Sequence, residues 1–156
     1  MNEKMLLSTL EDPFLVNLYE SYQDRNNIYL LLDFLPGGDL RHHLSKKKFN
    51  EEEAKFLIVC ILLGLRYLHS QGVIHRDIKP ENIVLDKKGY ARITDLGVAR
   101  PYRPNNSSDT SGTPGYMAPE VLLRQNHSYS ADYFAVGVIS HEFMLRKRPF
   151  NGRSRK

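Results

Sequence analysis

Tryptophan is absent, cysteine occurs once, and no apolar run is long. The single thiol, Cys60, cannot close an intrachain disulfide or build a multi-cysteine zinc site, which points to a reducing, intracellular compartment. The longest apolar run, residues 56–65, covers ten residues, half of the ~20 a membrane-spanning helix needs, so no membrane span is expected. A basic start, an apolar stretch and a small-residue cleavage site do not occur together near Met1, so a secretory leader is not expected and placement is read as cytoplasmic. Charge is nearly balanced, 22 basic against 18 acidic residues for a net of +4. The basic residues are scattered apart from residues 46–48 and 146–156, with no interleaved aromatics, so a nucleic-acid partner is not expected. What is there is ordinary globular composition, 41% hydrophobic and 26% charged, which excludes disorder over the whole length and at 156 residues suits one domain.

Along the chain, residues 1–10 carry apolar side chains at helical spacing, and Asp12-Pro13 ends that helix because proline disfavours helical geometry in the preceding residue. Residues 14–22 alternate as a strand, 24–27 form a polar turn, and 28–32 form a second strand, together a hairpin. Pro36-Gly37-Gly38 breaks the chain before a short helix opened by Asp39. Asn50 and Glu53 make a capping box at the head of the strongest helix signal. This helix is apolar on nearly every face between residues 56 and 68, the pattern of a buried domain axis, and Gln71-Gly72 ends it. Residues 82–85 and 91–94 read as a second small hairpin, 100–112 as a polar, mobile loop, and 131–145 as another mostly apolar helix. No internal repeat is found.

Chemistry-bearing groups concentrate around that second hairpin. The chain reads His75-Arg76-Asp77-Ile78-Lys79-Pro80-Glu81-Asn82, then the hairpin, then Asp95-Leu96-Gly97. Phosphoryl transfer needs a carboxylate to orient an acceptor hydroxyl and take its proton. It also needs oxygen ligands for Mg²⁺ and a cation facing the migrating group. Asp77 suits the first role, Asn82 and Asp95 the second, and Lys79 the third. Each alone would pass as a turn residue; the ordered string would not.

This string resembles the protein kinases, whose signature set contains a catalytic loop, a metal-binding Asp-Phe-Gly and an Ala-Pro-Glu. Here the second motif is Asp95-Leu96-Gly97, and Thr113-Pro114-Gly115-Tyr116-Met117-Ala118-Pro119-Glu120 ends in the third. The resemblance implies an α+β, protein-kinase-like fold with a mostly helical C-lobe and a remnant of the N-lobe sheet. Residues 1–32 would be that remnant, 33–39 the hinge and 40–156 a truncated C-lobe. It implies a serine/threonine kinase that uses ATP and Mg²⁺ on protein substrates with Ser/Thr acceptors.

Carried over by motif, Asp77 is the catalytic base, Lys79 steadies the phosphoryl group, and Thr113 completes the serine/threonine pattern. Asn82 and Asp95 hold Mg²⁺. Leu32 is the gatekeeper, backbone groups of Asp33 and Leu35 meet the adenine, Val84 is its floor, and Asp39 and Glu81 border the ATP site. Glu3 matches the αC glutamate, and Asp132 the aspartate that anchors the catalytic-loop backbone. His75 packs in the hydrophobic spine with Leu7, Leu18 and Leu96. The closest subgroup resemblance is AGC-like, and in it Asp39, Glu81 and Glu142 fall where acids recognise substrate arginine. In the activation segment, either Asp109 supplies a fixed charge to Arg76, or Ser107, Ser108 or Thr110 is phosphorylated by an activating kinase.

Two features of the family pattern are missing from the sequence: the Gly-rich strand-loop-strand with its ATP-pairing lysine, and the helices that follow the one at residues 131–145, from which an arginine would pair with Glu120. The expectation is an incomplete kinase domain, with a catalytically inactive protein-binding module as the alternative.

Overall fold

The computed structural model describes residues 3–150. Helix α1 covers Glu3–Leu7 and buries Leu6 and Leu7. It is shorter than the 1–10 expected, and residues 1–2 lie outside the described residues. Ser8 and Thr9 end it, their hydroxyls donating to the Met5 carbonyl at 2.9 and 3.2 Å and so competing with further helical bonds.

Strands β1 (Leu18–Gln23) and β2 (Ile28–Leu32) pair antiparallel. The turn between them is closed by Asp24, whose carboxylate accepts from Asn26 and Asn27 N–H at 2.7 Å. The first strand begins later than residue 14. Asp12 folds residues 12–15 into a turn, accepting from Phe14 N–H at 2.8 Å, and residues 14–16 then pair with the later hairpin, Ile93 N–H donating to Phe14 O at 2.8 Å and Val16 N–H to Ile93 O at 2.9 Å. Alternation alone could not say which partner these residues would take.

Helix α2 (Leu40–Lys46) is capped by Asp39, which accepts from His42 N–H. Gly37 is required just before it. A Cβ there would sit 2.5 Å from Leu85 Cβ, because Gly37 N–H donates to Leu85 O at 2.9 Å and Leu85 N–H to Gly38 O at 3.0 Å. These two bonds clip residues 37–38 to strand β4 (Ile83–Leu85), which pairs with β5 (Ala91–Ile93).

Helix α3 (Glu51–Ser70) starts at the expected capping box, with both reciprocal bonds present. It packs against β5 and against α5 (Ser130–Leu145). Its buried face carries Leu57, Ile61, Leu65 and Leu68, but Phe56, Val59 and Leu62 are exposed. It is therefore a half-buried helix and not an enclosed axis. Helix α5 buries eight of its residues, among them Asp132 and Glu142, and Phe143 meets Phe49 edge-on at 5.0 Å.

Residues 102–112 form neither helix nor strand, as expected of a loop, but the segment is tied at two points. Strand β6 (Arg100–Pro101) pairs with β3 (Val73–Ile74). Asn106 is buried, donating to His127 O at 2.8 Å and accepting from His127 N–H at 2.9 Å. A short helix α4 (Pro119–Leu122) follows, started by proline at its first turn. Among the described residues no helix is long and apolar enough to cross a membrane.

Candidate active site

The loop between β3 and β4 is hung from α5 by one carboxylate. Asp132, 1% exposed, accepts from His75 N–H at 2.9 Å and Arg76 N–H at 2.8 Å, and His69 Nε2 donates to it at 2.8 Å. These bonds hold Arg76 at a φ of 72°, a left-handed conformation that costs a bulky residue on the order of 1–2 kcal/mol. The role carried over to Asp132 is therefore visible in the geometry. His69 was not singled out from the sequence, where it looks like the ordinary last turn of a helix.

His75 is fully buried, beside a core that contains Leu7 and Leu96 with Leu18 packed against it. It also does polar work: Nε2 lies 3.1 Å from Thr94 O, and Nδ1 accepts from Asp77 N–H at 3.2 Å. One neutral tautomer, protonated at Nε2, satisfies both bonds. The ring thus sets the backbone of the residue that follows two positions on.

Asp77 is the focus. Its Oδ2 accepts from Lys79 Nζ at 2.7 Å and from Asn82 Nδ2 at 3.2 Å. Its Oδ1 accepts from the Thr113 hydroxyl at 2.6 Å, while Lys79 Nζ also donates to Thr113 Oγ1 at 2.9 Å. Three donors on about four lone-pair sites leave one site on Oδ1 for an incoming hydroxyl. Burial would push the Asp77 carboxyl up, but Lys79 and Thr113 outweigh it and hold it below its ordinary value. Thr113 reaches this point through Gly112, at φ 136°, where a Cβ would stand 2.7 Å from Arg76 O. Sequence distance hides this meeting; the structure brings residues 77, 79, 82 and 113 together.

Asn82 is buried, with its amide nitrogen committed to Asp77 Oδ2 and to Asp77 O at 3.0 Å. Its side-chain oxygen is thereby left to accept a ligand. Thr94 N–H donates to Asn82 O at 2.9 Å, which brings the next residue, Asp95, to the same end of the hairpin. Asp95 is exposed and left-handed at φ 61°, its Oδ1 accepting from Gly97 N–H at 3.1 Å. One carboxylate and one amide oxygen fit Mg²⁺, a hard cation that keeps several waters and takes few protein ligands. They do not resemble a transition-metal cage, and no three His, Cys, Asp or Glu side chains gather as one among the described residues.

The residues assigned to adenine lie along β2 and the clip to β4. Leu32 and Leu35 pack against the core and Val84 is half-buried. Asp33 N–H is already bonded to Asn17 O at 3.0 Å, leaving its carbonyl for a ligand. Its side chain is structural, accepting from Asn17 Nδ2 at 2.9 Å, Tyr19 at 2.8 Å and Arg92 at 3.0 Å. Val84 faces Asp39 across an isolated bridge, while the Asp39 carboxylate caps α2. Glu3 opens α1, half-buried.

Glu81 and Glu142 both bind Arg41, at 2.9 and 2.7 Å, a residue that nothing in the sequence marked out. In the activation segment, Asp109 Oδ2 lies 3.5 Å from Arg76 Nη1. The Arg76 side chain is buried there, its Nε donating to Val98 O at 2.8 Å. Ser107, Ser108 and Thr110 are exposed.

The protein kinase domain model matches residues 1–156. The chain is 45% identical to ribosomal protein S6 kinase 2 alpha of Xenopus laevis and to ribosomal protein S6 kinase alpha-1 of Homo sapiens, over 99% of its length and 21% of theirs. It is 39% identical to a cAMP-dependent protein kinase, catalytic subunit-like, of Caenorhabditis briggsae, over 98% of its length and 40% of that protein's. The chain thus spans about a fifth of the S6 kinase relatives it matches. With Asp77, Lys79, Asn82 and Thr113 gathered at one point and a domain model matching from end to end, this chain belongs to the protein kinase domain family.

Proposed function

We propose that this chain carries the acceptor- and metal-binding part of a serine/threonine protein kinase, which moves the γ-phosphoryl group of ATP to protein Ser/Thr hydroxyls. The observation that carries the reading is the Asp77 carboxylate, held by Lys79 and Thr113 with one lone-pair site unfilled. A substrate hydroxyl bonded there donates its proton to Asp77 as its oxygen attacks the γ-phosphorus and the bond to ADP breaks. Lys79, already beside that carboxylate, lends positive charge to the transferring group. Asn82 and Asp95 would hold Mg²⁺, which when bound neutralises phosphate oxygens. Residues 1–32 form the N-lobe part of the domain, 33–39 the hinge that offers backbone groups to adenine, and 40–156 the C-lobe part.

Asp109 serves as the fixed charge of the activation segment: its contact with Arg76 supports this over phosphorylation of Ser107, Ser108 or Thr110 by an activating kinase. A cytoplasmic setting and the lack of a nucleic-acid partner complete the reading. Thermal unfolding with and without Mg²⁺-ATP tests it. The wild type is expected to gain several degrees and the Asp95→Ala variant much less; equal behaviour of the two, with no shift in either, would overturn it.

A further inference from the structure

Glu81 follows Asp77 by four positions, and Tyr116 follows Thr113 by three. Both thus stand close along the chain to the Asp77–Thr113 pair, the place proposed for the acceptor hydroxyl. Each turns toward a single internal cation, Arg41 of α2. Arg41 Nε donates to Glu81 Oε1 at 2.9 Å, Nη1 to Glu142 Oε1 at 2.7 Å, and Nη2 to Glu142 Oε2 at 3.3 Å and to the Tyr116 hydroxyl. The Tyr116 hydroxyl in turn donates to Glu142 Oε2. Glu142 is 6% exposed and both its oxygens are engaged by one guanidinium, the bidentate geometry that gives arginine–carboxylate pairs their strength.

A second cation stands behind the first. The Arg148 guanidinium lies 5.6 Å from the Tyr116 ring centroid and donates to Pro114 O at 3.2 Å. Both carboxylates on this face thus share the single guanidinium of Arg41. The third acid nearby, Asp39, spends its carboxylate on the His42 N–H at 2.8 Å. Burial pushes the Glu142 carboxyl up, and Arg41 with Tyr116 more than reverses this, so Glu142 stays ionised beside its internal cation.

We propose that Arg41 is a specificity-determining residue: by holding both oxygens of the buried Glu142 and sharing Glu81, it weakens the negative charge this face offers a basic side chain, so that Ser/Thr acceptors gain little from a neighbouring arginine or lysine. This rests on the phosphotransfer reading and reverses the substrate preference expected from the AGC-like resemblance. A substrate guanidinium would have to displace Arg41 from a buried, bidentate carboxylate to make the same contact.

The test compares wild type, Arg41→Ala and Arg41→Gln, each expressed with whatever coding sequence flanks these residues; the glutamine variant retains a donor for Glu142 if the alanine variant fails to fold. Peptides carry Arg or Ala at each of the positions preceding the acceptor. Wild type is expected to show kcat/KM ratios (Arg over Ala) within about threefold of one at every position, and the neutral variants a gain of about tenfold or more at one of them. A wild-type preference of tenfold or more, or no change in the variants, would overturn the inference. Fluorescence anisotropy with arginine peptides whose acceptor is replaced by alanine separates the two readings. Tenfold tighter binding by the variants, with no phosphorylation by any form, would leave Arg41 in this role and remove the phosphotransfer reading.

Discussion

Asp77 takes its chemistry from its donors, and these set its pH behaviour. Its carboxyl lies below the ordinary carboxylate value of about 3.9 because Lys79 and Thr113 overcome the burial that would raise it. A depressed folded value contributes stability that is fully present above the unfolded value and lost as pH falls through the folded one. The acid limb of kcat/KM is therefore expected below about pH 4. In a Lys79→Met variant the same limb should move to higher pH; an unmoved limb would show that Lys79 does not set Asp77. Asp132 is a second single-residue dependency. Truncation to alanine leaves the His75 and Arg76 N–H groups without their acceptor in a buried place, where each orphan costs about 1–3 kcal/mol. Urea denaturation of Asp132→Ala should show a loss of about 2–5 kcal/mol, and a loss below about 0.5 kcal/mol would refute the anchoring role.

Elements differ in how far sequence specified them. The capping box at Asn50 and the Gln71-Gly72 stop bracketed α3 correctly because both signals are local bonds within a few residues. The β2 boundaries were legible for the same reason, an apolar run ended by a polar turn and by Asp33. Residues 14–16 were misread, and the tie of Asn106 within the 100–112 loop went unseen, because their partners, Ile93 and His127, lie far along the chain, and neither periodicity nor polarity encodes a distant acceptor. The site divides likewise. Asp77, Lys79, Asn82 and Asp95 stand in an ordered motif, so the family resemblance singled them out as candidates, while Arg41 and His69 carry no motif and appear only when α2 and α5 are packed. The activation segment offers a prediction at this scale. Asp109 pairs with a buried guanidinium that burial pushes below its ordinary value and that Asp109 supports. Asp109→Ala should speed hydrogen exchange across residues 106–112 and lower kcat several-fold. Unchanged exchange and rate, with a phosphate found on Ser107, Ser108 or Thr110 by intact mass, would transfer the role to the modified hydroxyl.

At the scale of the whole molecule, the core is continuous from α1 through α3 to α5, but the β1–β2 hairpin shows a different surface. Tyr22, Tyr29 and Leu31 lie on its outer face and are all exposed, as are Tyr19 and Phe34 beside it. Exposed apolar area of this kind favours association, and the strand edges of this hairpin left unpaired among the described residues add to it. Residues 3–150 expressed alone should self-associate with rising concentration in sedimentation velocity, and a Leu31→Lys/Phe34→Ser pair should lower that tendency without lowering the melting temperature by more than a degree or two. A monomer at all concentrations would show that this face is benign. The proposed chemistry turns on one carboxylate, gripped by a lysine and a threonine, that receives the proton of a Ser/Thr hydroxyl during phosphoryl transfer. The most direct measurement is transfer of labelled γ-phosphate from ATP to a serine-containing protein substrate by wild type and Asp77→Asn, with nucleotide binding measured in parallel. A fall in kcat of about 10²–10⁴-fold is expected at unchanged Mg²⁺-ATP affinity; equal rates in the two forms would contradict the role of Asp77.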